Sequence, residues 1–484
     1  MSDTEQQLND FLQAFDADPI SMMERIPQKF DQDGNPITPR SVFSPTAIAN
    51  NAYVEARDSI RQQFQETDGE MGTRAAYEAH DKAENLVDKF TYSDLKAMET
   101  AGLRSAKLAE SPWSDDYWAI YKGILGARYA DPNFPQVEHW KQNYDYIRAH
   151  NAPDIFKTGN AAAINRLAPA EKYDLLVGDA NGTLTRRMWA DGKSIYDANG
   201  SVETWMGICH GWSPAAYMLP RPRKAVVAQA PNGVAITFYP SDIKALASVL
   251  WANAMPATRF IGGRCNDANP AKDPATGRVT SSKCFDTNPG TWHLAMVNQL
   301  GAGKRSMVMD VTYDYEVWNQ PVYSYEYSYF NPKRMAASNL ADAIVARNAF
   351  TNDKFKAFRS SRTVSIVGIN MRVGYVVETS PSQRPDDNPS HDAIQYVDYR
   401  YDVELDANNK IIGGEWYTNK HPDFLWTAPK SVRATTRYDH LATGTWQAGK
   451  PLPQTWQSAA PQASKANGAP LAAIVERLLN FANS

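Results

Sequence analysis

Cys209 stands in the run Glu203-Thr-Trp-Met-Gly-Ile-Cys209-His-Gly-Trp-Ser-Pro-Ala-Ala-Tyr217. Gly207 precedes it by two residues, and SPAAYML after it reads as helix. The thiol is therefore expected at a loop-to-helix junction. There the positive end of the helix dipole favours thiolate over thiol. The backbone N–H of Cys209 is placed to hold the oxyanion of an acyl intermediate. The bland reading is a buried structural cysteine, since cysteines are usually buried.

A second segment offers the partners a nucleophilic thiol needs. Asn288-Pro-Gly-Thr-Trp292-His293-Leu-Ala-Met-Val-Asn298 reads as a strand, as does Arg305-Ser-Met-Val-Met-Asp310. Leu300-Gly-Ala-Gly303 between them reads as a type II′ hairpin turn. A turn centred between Gly301 and Ala302 sets His293 opposite Asp310 on one face of the hairpin. That is the arrangement of a base and its orienting carboxylate. A register slip of one residue would put one side chain on the other face. Cys, His, Asp is also the chain order of papain-like and transglutaminase-like enzymes.

The remaining elements must position these groups. Residues 1–110 read as a mostly helical region, with apolar residues at spacings of three and four in LNDFLQAF, NNAYVEARDSIRQQFQ and RAAYEAHDKAENLVDKFTYSDLKAMETAGL. Residues 111–446 read as the catalytic domain, which opens on the aromatic-rich WSDDYWAIYKGILGARYADPNFP. In it KAVVAQAPNGVAITFYP reads as a hairpin and SDIKALASVLWANAM as a helix capped by Ser241. TVSIVGINMRVGYVVET and YVDYRYDVELDANNKIIGGEWY read as strands, with Asp406-Ala-Asn-Asn as a turn. Residues 447–484 read as a linker rich in Pro, Ala, Ser and Gln, then a short helix over PLAAIVERLLNFA. Helices, then a mixed region, then strands favour an α+β class.

Composition narrows the function. Hydrophobic residues make up 43% and aromatics 11% of 484 residues, which fits a folded globular chain and excludes a disordered one. Lys plus Arg is 50 against 54 for Asp plus Glu, a net charge of -4, so no nucleic-acid partner is expected. No apolar run approaches the roughly 18 residues of a membrane span. The start MSDTEQQLNDFLQAFDADP lacks the basic n-region and apolar h-region of a Sec signal. The expectation is export by a leaderless route to the periplasm or extracellular space, or else residence in the cytoplasm.

The longer motifs sharpen this. PWSDDYW (112–118), TWMGICHGWSPAA (204–216), SDIKALASVLWA (241–252) and RFIGGRCN (259–266) resemble the transglutaminase elicitor family. So do CFDTNPGTWHLAMVNQLG (284–301), MDVTYDYEVWNQPVYSYEY (309–327) and IIGGEWYTNKHPDFLW (411–426). The resemblance covers roughly residues 110–430 and implies a papain-like catalytic domain. It implies Cys209 as nucleophile, His293 as base and Asp310 as orienting carboxylate. It also implies acyl transfer from a glutamine-type carboxamide to a primary amine on protein or peptide substrates, including cell-wall or peptidoglycan peptides. The chain departs from animal transglutaminases in carrying Gly-Ile-Cys-His where they carry Gly-Gln-Cys-Trp. Papain-like proteases place a glutamine six residues before the cysteine; here that position is Glu203, which cannot donate when ionised. The indole N–H of Trp205 is the substitute donor this reading offers.

His210 is read as a substrate contact or a structural histidine, and Trp212 and Trp292 as shields of the thioester or core residues. Cys265 and Cys284 enclose a turn-rich loop and are read as a disulfide pair, the alternative being two buried free thiols. Asp267, Asp273 and Asp286 lie in or beside that loop. They match no EF-hand spacing. No metal or cofactor is required, calcium being the one ion these carboxylates suggest. Two rival functions stay open: a cysteine peptidase or amidase using the same residues, and a non-catalytic recognition protein on this fold.

Overall fold

A computed structural model describes residues 2–25, 29–30, 36–37, 81–263, 270–281, 284, 286–312 and 317–484. The chain opens with helix α1 (Asp3–Ala17), whose first turn is closed by Ser2 and Glu5 capping each other. Further along the chain are α2 (Pro169–Val177), α3 (Thr183–Asn199) and α4 (Cys209–Met218). A small hairpin, β1 (Val226–Gln229) and β2 (Ala235–Phe238), leads into α5 (Pro240–Asn253) and β3 (Arg259–Gly262). Next is α6 (Pro289–Ala295), which runs on into a π-helix over Met296–Ala302. The strands β4 (Val308–Asp310), β5 (Asn319–Asn331), β6 (Ser365–Val377), β7 (Ala393–Leu405), β8 (Ile411–Trp416) and β9 (Phe424–Thr427) follow. Two helices, α7 (Gln454–Asn467) and α8 (Ala472–Ala482), close the chain.

The long strands form one antiparallel sheet in the order β7–β6–β5–β4–β9–β3, with β8 paired to β7. Val, Ile and Tyr dominate β6 and β7, as a pleated surface buried on both faces requires. Because side chains alternate, the register assigns each residue to a face. Met309, Val322, Tyr325, Tyr327, Tyr399 and Tyr401 enter one core together with Trp292 and Leu294 of α6. The opposite face carries Val308 and Trp426, which pack with Tyr217 of α4. Asp310 is two residues from Val308 and pairs with Asn319, so both point to this second face. The helices α2, α4, α5, α7 and α8 share the largest core, to which Tyr323 and Val376 of the sheet also contribute.

Mixed helix and strand agree with the α+β expectation. The β1–β2 hairpin, the β6 strand, the β7–β8 pair and the last helix lie where the sequence puts them. Helix α5 does as well, but Ser241 is not its cap: the Asp242 carboxylate accepts the Tyr239 N–H at 2.8 Å. Ser241 instead accepts the N–H of Ser382.

Three expectations are corrected. The His293 segment is helical, not a strand, so no His293–Asp310 hairpin exists. Asn288 and Pro289 start the helix: the Asn288 side chain accepts the Gly290 N–H at 2.9 Å, and proline suits the first turn. Gly301 does not take the positive φ that a type II′ turn demands. Its missing side chain serves another end, since a Cβ there would lie 2.3 Å from the Tyr325 hydroxyl. The 447–484 region is not linker plus helix. Its small residues Ala459, Ala460 and Ala463 are fully buried and let α7 lie flat on the core. In the N-terminal region, residues 81–103 hold a short 3₁₀ turn (Ala83–Asn85) and one six-residue helix (Leu95–Thr100). The N–H groups of Thr91 and Tyr92 are drawn instead to the Asn298 side chain, at 2.8 and 2.9 Å. The helix read over NNAYVEARDSIRQQFQ lies outside the described residues.

One ion cluster fixes the loop that leads to the site. Arg221, buried, pairs with Glu110 at 2.8 Å, Asp387 at 2.8 Å and Asp392 at 2.6 Å, and donates to the Ser111 carbonyl. Removing it leaves the buried Asp392 carboxylate without a cation, while Asp387 keeps Lys244 at 2.8 Å, and loss of one partner of such a buried pair costs about 3–5 kcal/mol. Arg221→Met is therefore expected to lower the unfolding free energy by that amount in urea titration. A loss below about 1 kcal/mol would mean that the donors from Ser111 and Ser114 suffice to hold Asp392.

Candidate active site

Cys209 opens α4, and two glycines allow it to sit where it does. A Cβ on Gly207 would come within 2.4 Å of the Tyr117 carbonyl. That carbonyl accepts the Ile208 N–H at 2.7 Å and so ties the 113–118 loop to the helix start. A Cβ on Gly211 would come within 2.1 Å of the Ser248 carbonyl on α5. The ten-residue helix has no side-chain N-cap, which leaves its first N–H groups for the site. The Ser213 hydroxyl donates to the Cys209 carbonyl at 2.8 Å, inside the turn that Pro214 interrupts.

The thiol is the free cysteine among the described residues and is buried. It faces the Val317 carbonyl at 3.8 Å and the Asn319 side-chain NH₂ at 3.8 Å. Burial pushes the thiol up to about 12. The Asn319 N–H and amide pull it back down, while Glu378 and Asp310 push it up. Asp310 is fully buried at the end of β4. One of its oxygens accepts from the Thr312 hydroxyl at 2.8 Å, and from the N–H groups of Thr312 at 3.3 Å and Trp318 at 3.1 Å. Tyr117 and Trp318, from the two segments flanking the sulfur, have ring centroids 5.4 Å apart.

Cys209 and Asp310 are thus brought to one face of the sheet, and His293 is not. His293 is fully buried in α6, on the opposite face, against Tyr327 at 4.8 Å between rings. Its Nδ1 bonds the Tyr401 hydroxyl at 2.8 Å, and its Nε2 has no hydrogen-bond partner. No Cys-His-Asp hydrogen-bonded chain forms, because the residues read as a strand are a helix docked on the far side.

Burial pushes the His293 ring down to about 3. An unfolded histidine protonates near about 6.5, so the unfolded state takes this proton first as pH falls. The stabilisation is complete above about 6.5 and is lost toward about pH 3, at about 1.4 kcal/mol per pH unit. His293→Gln is expected to shrink the fall in unfolding free energy between pH 6.5 and 4.5 by about 2 kcal/mol. An unchanged fall would mean that the ring carries a charge in the folded protein, as a triad histidine paired with Asp310 would.

The other expected site residues separate as follows. The Trp205 indole N–H is committed to the Glu203 carboxylate, not to an oxyanion position. His210 is buried in α4, with its ring pushed down to about 4 by burial. Trp212 is fully buried and donates to the Trp113 carbonyl at 3.0 Å. Trp292 is fully buried against Tyr399 and Trp416. Both tryptophans are core residues. Cys284 is buried, while Cys265 lies outside the described residues, and so does their pairing. Of the three carboxylates suggested for calcium, Asp267 is also outside them. Asp273 closes a turn with Thr276, and Asp286 lies 3.6 Å from His421. Among the described residues no group of three or more His, Cys, Asp or Glu is placed to hold a metal ion, and no helix is long and apolar enough to cross a membrane.

Asn319, Trp426, Tyr117 and Glu378 were not singled out by sequence reasoning. Three of them lie in quoted motifs, PWSDDYW, MDVTYDYEVWNQPVYSYEY and IIGGEWYTNKHPDFLW, but nothing in their spacing links them to Cys209.

Comparison with curated proteins found no match. Among solved structures, the chain is similar to the GP42 transglutaminase from Phytophthora sojae. The two share 22% identity over 82% of this chain and 99% of that one, with a TM-score of 0.49. The model of the transglutaminase elicitor family matches residues 81–438, a span that holds Cys209, Asp310, Asn319 and Trp426, and the chain belongs to that family.

Proposed function

We propose that this protein is a cysteine-dependent acyltransferase that moves a glutamine-type acyl group to a primary amine. The observation that carries the reading is Cys209 itself: a free thiol at the uncapped start of α4, with Asn319 donors at its sulfur and Asp310 on the same face. In this reading the Cys209 sulfur attacks the carboxamide carbon and the oxyanion forms beside the first N–H groups of α4. Ammonia leaves with a proton, giving a thioester. The amine then attacks the thioester, the C–S bond breaks, and the thiol is restored. The thiol proton passes to a group on the sulfur's own face, where Asp310 and Glu378 supply the charge that the sulfur feels. His293 would have to cross the sheet to serve as base, so its part is structural. Peptides carrying both a glutamine-type amide and a free amine, such as those of a cell wall, suit both halves of the reaction.

A second reading, recognition without catalysis, draws on the same thiol: it is buried, pushed up to about 12, and has no histidine hydrogen-bonded to it. One assay separates the two. The protein is incubated with a glutamine peptide and a labelled primary amine, and the peptide is read by mass spectrometry. Acyl transfer predicts a covalent amine adduct. A shortened or merely deamidated peptide would move the protein to the hydrolases, and an unaltered peptide would favour recognition.

A further inference from the structure

We infer that Asn319 is a further catalytic residue, which donates to the Cys209 sulfur, and that Trp426 is the positioning residue that aims it. The inference rests on the acyl-transfer reading only for its consequence in turnover; its geometry stands apart.

Asn319 begins β5 directly opposite Asp310, and its side chain is 1% exposed. Its amide is held on both sides. The Trp426 indole N–H donates to Oδ1 at 2.8 Å. An indole can only donate, so the carbonyl end of the amide must face Trp426. The NH₂ end is then fixed toward the sulfur, where Nδ2 lies 3.8 Å from Sγ. Register explains why this tryptophan reaches. Trp426 on β9 pairs with Val308 on β4, and Asp310 two residues on pairs with Asn319. All four therefore point to the face that α4 covers. The backbone is tied to the same helix, because the Ser213 hydroxyl of α4 shares its one proton between the Cys209 and Asn319 carbonyls.

The chemistry follows from the inventory at the sulfur. Among the described residues, the charged groups that face it are Glu378 after β6 and Asp310 from β4, and both oppose a thiolate. On the helix itself His210 is buried and neutral. Donors to a charged acceptor are the stronger kind of hydrogen bond. Asn319 thus offers a thiolate in this acidic setting a neutral donor that brings no charge of its own. A carboxylate of the same shape would reverse the effect.

The test uses the full chain and reads the thiol directly. Alkylation of Cys209 by iodoacetamide is followed against pH on the tryptic peptide that contains it, in wild type, Asn319→Asp and Trp426→Phe. Expected is a profile displaced so that alkylation at a given pH is about tenfold or more slower in Asn319→Asp, with a smaller slowing in Trp426→Phe, where the amide is free to turn. In amine transfer, kcat is expected to fall about tenfold or more with KM little changed. An alkylation profile that does not move in folded Asn319→Asp overturns the inference. If that variant does not fold, an unmoved profile in Trp426→Phe does so. Profiles that shift while even the wild type transfers no amine keep the Asn319–sulfur contact and discard the acyl-transfer reading instead.

Discussion

Cys209→Ala is expected to reduce amine incorporation by at least about 10⁴-fold, the order seen when a nucleophile is removed from an enzyme whose remaining groups act only through it. The fold should survive. The side chain is small, it is held by two 3.8 Å contacts, and burial already opposes its charged form. The change in unfolding free energy should stay within about 1.5 kcal/mol, since only one buried atom is removed. Cys209→Ser keeps the volume but offers a hydroxyl at a position to which no histidine is hydrogen-bonded, and should be nearly as inactive. The measurement is the rate of labelled-amine incorporation beside a urea titration of each variant. Transfer within tenfold of wild type in folded Cys209→Ala would remove the thiol from the reaction.

Gly211→Ala should be the most damaging single-methyl change near the site. The added Cβ would meet the Ser248 carbonyl at 2.1 Å, the Ala252 Cβ at 2.6 Å and the Ala252 nitrogen at 2.7 Å. Two of these three atoms are backbone of α5 and cannot turn aside, so α4 and α5 must separate. Overpacking of this kind costs about 1–3 kcal/mol and at times more. Alanine's better helix propensity returns about 1 kcal/mol. Because the contact is with backbone, we expect the upper end, a net loss of about 2–3 kcal/mol. The same displacement lifts Cys209 away from Asn319, so transfer should fall more steeply than stability alone explains. Equal stability and activity in Gly211→Ala would show that the two helices have slack between them.

Much of the nucleophile's setting was legible in the sequence. Gly-Ile-Cys followed by Ser-Pro-Ala-Ala announces a helix start at Cys209, and α4 begins there. The strands and the β1–β2 hairpin were equally plain, because β-branched and aromatic runs bounded by Pro-Asn-Gly or Asp-Ala-Asn-Asn have few other readings. The His293 segment misled for a physical reason. Trp-His-Leu-Ala-Met-Val-Asn-Gln-Leu is apolar nearly throughout, and such a run fits a buried strand or a buried helix equally well by periodicity. Asn288-Pro289 is the cue that decides it, a cap and a first-turn proline that the strand reading left unused. Once the segment is helical, the face of the sheet that His293 occupies depends on docking. Asn319 and Trp426 were illegible for a similar reason, since their contact spans 107 residues and exists only through the β9–β4–β5 register.

The central claim is that Cys209 carries the acyl group, and the most direct test is to catch it. The protein is mixed with a glutamine peptide in the absence of any amine, quenched in acid, and digested for mass spectrometry. The account predicts a peptide containing Cys209 that has gained the mass of the glutamine peptide less ammonia, and that loses it when a primary amine is added before the quench. Amine transfer at full rate with no acyl group on Cys209, or with the acyl group on another residue, would contradict it.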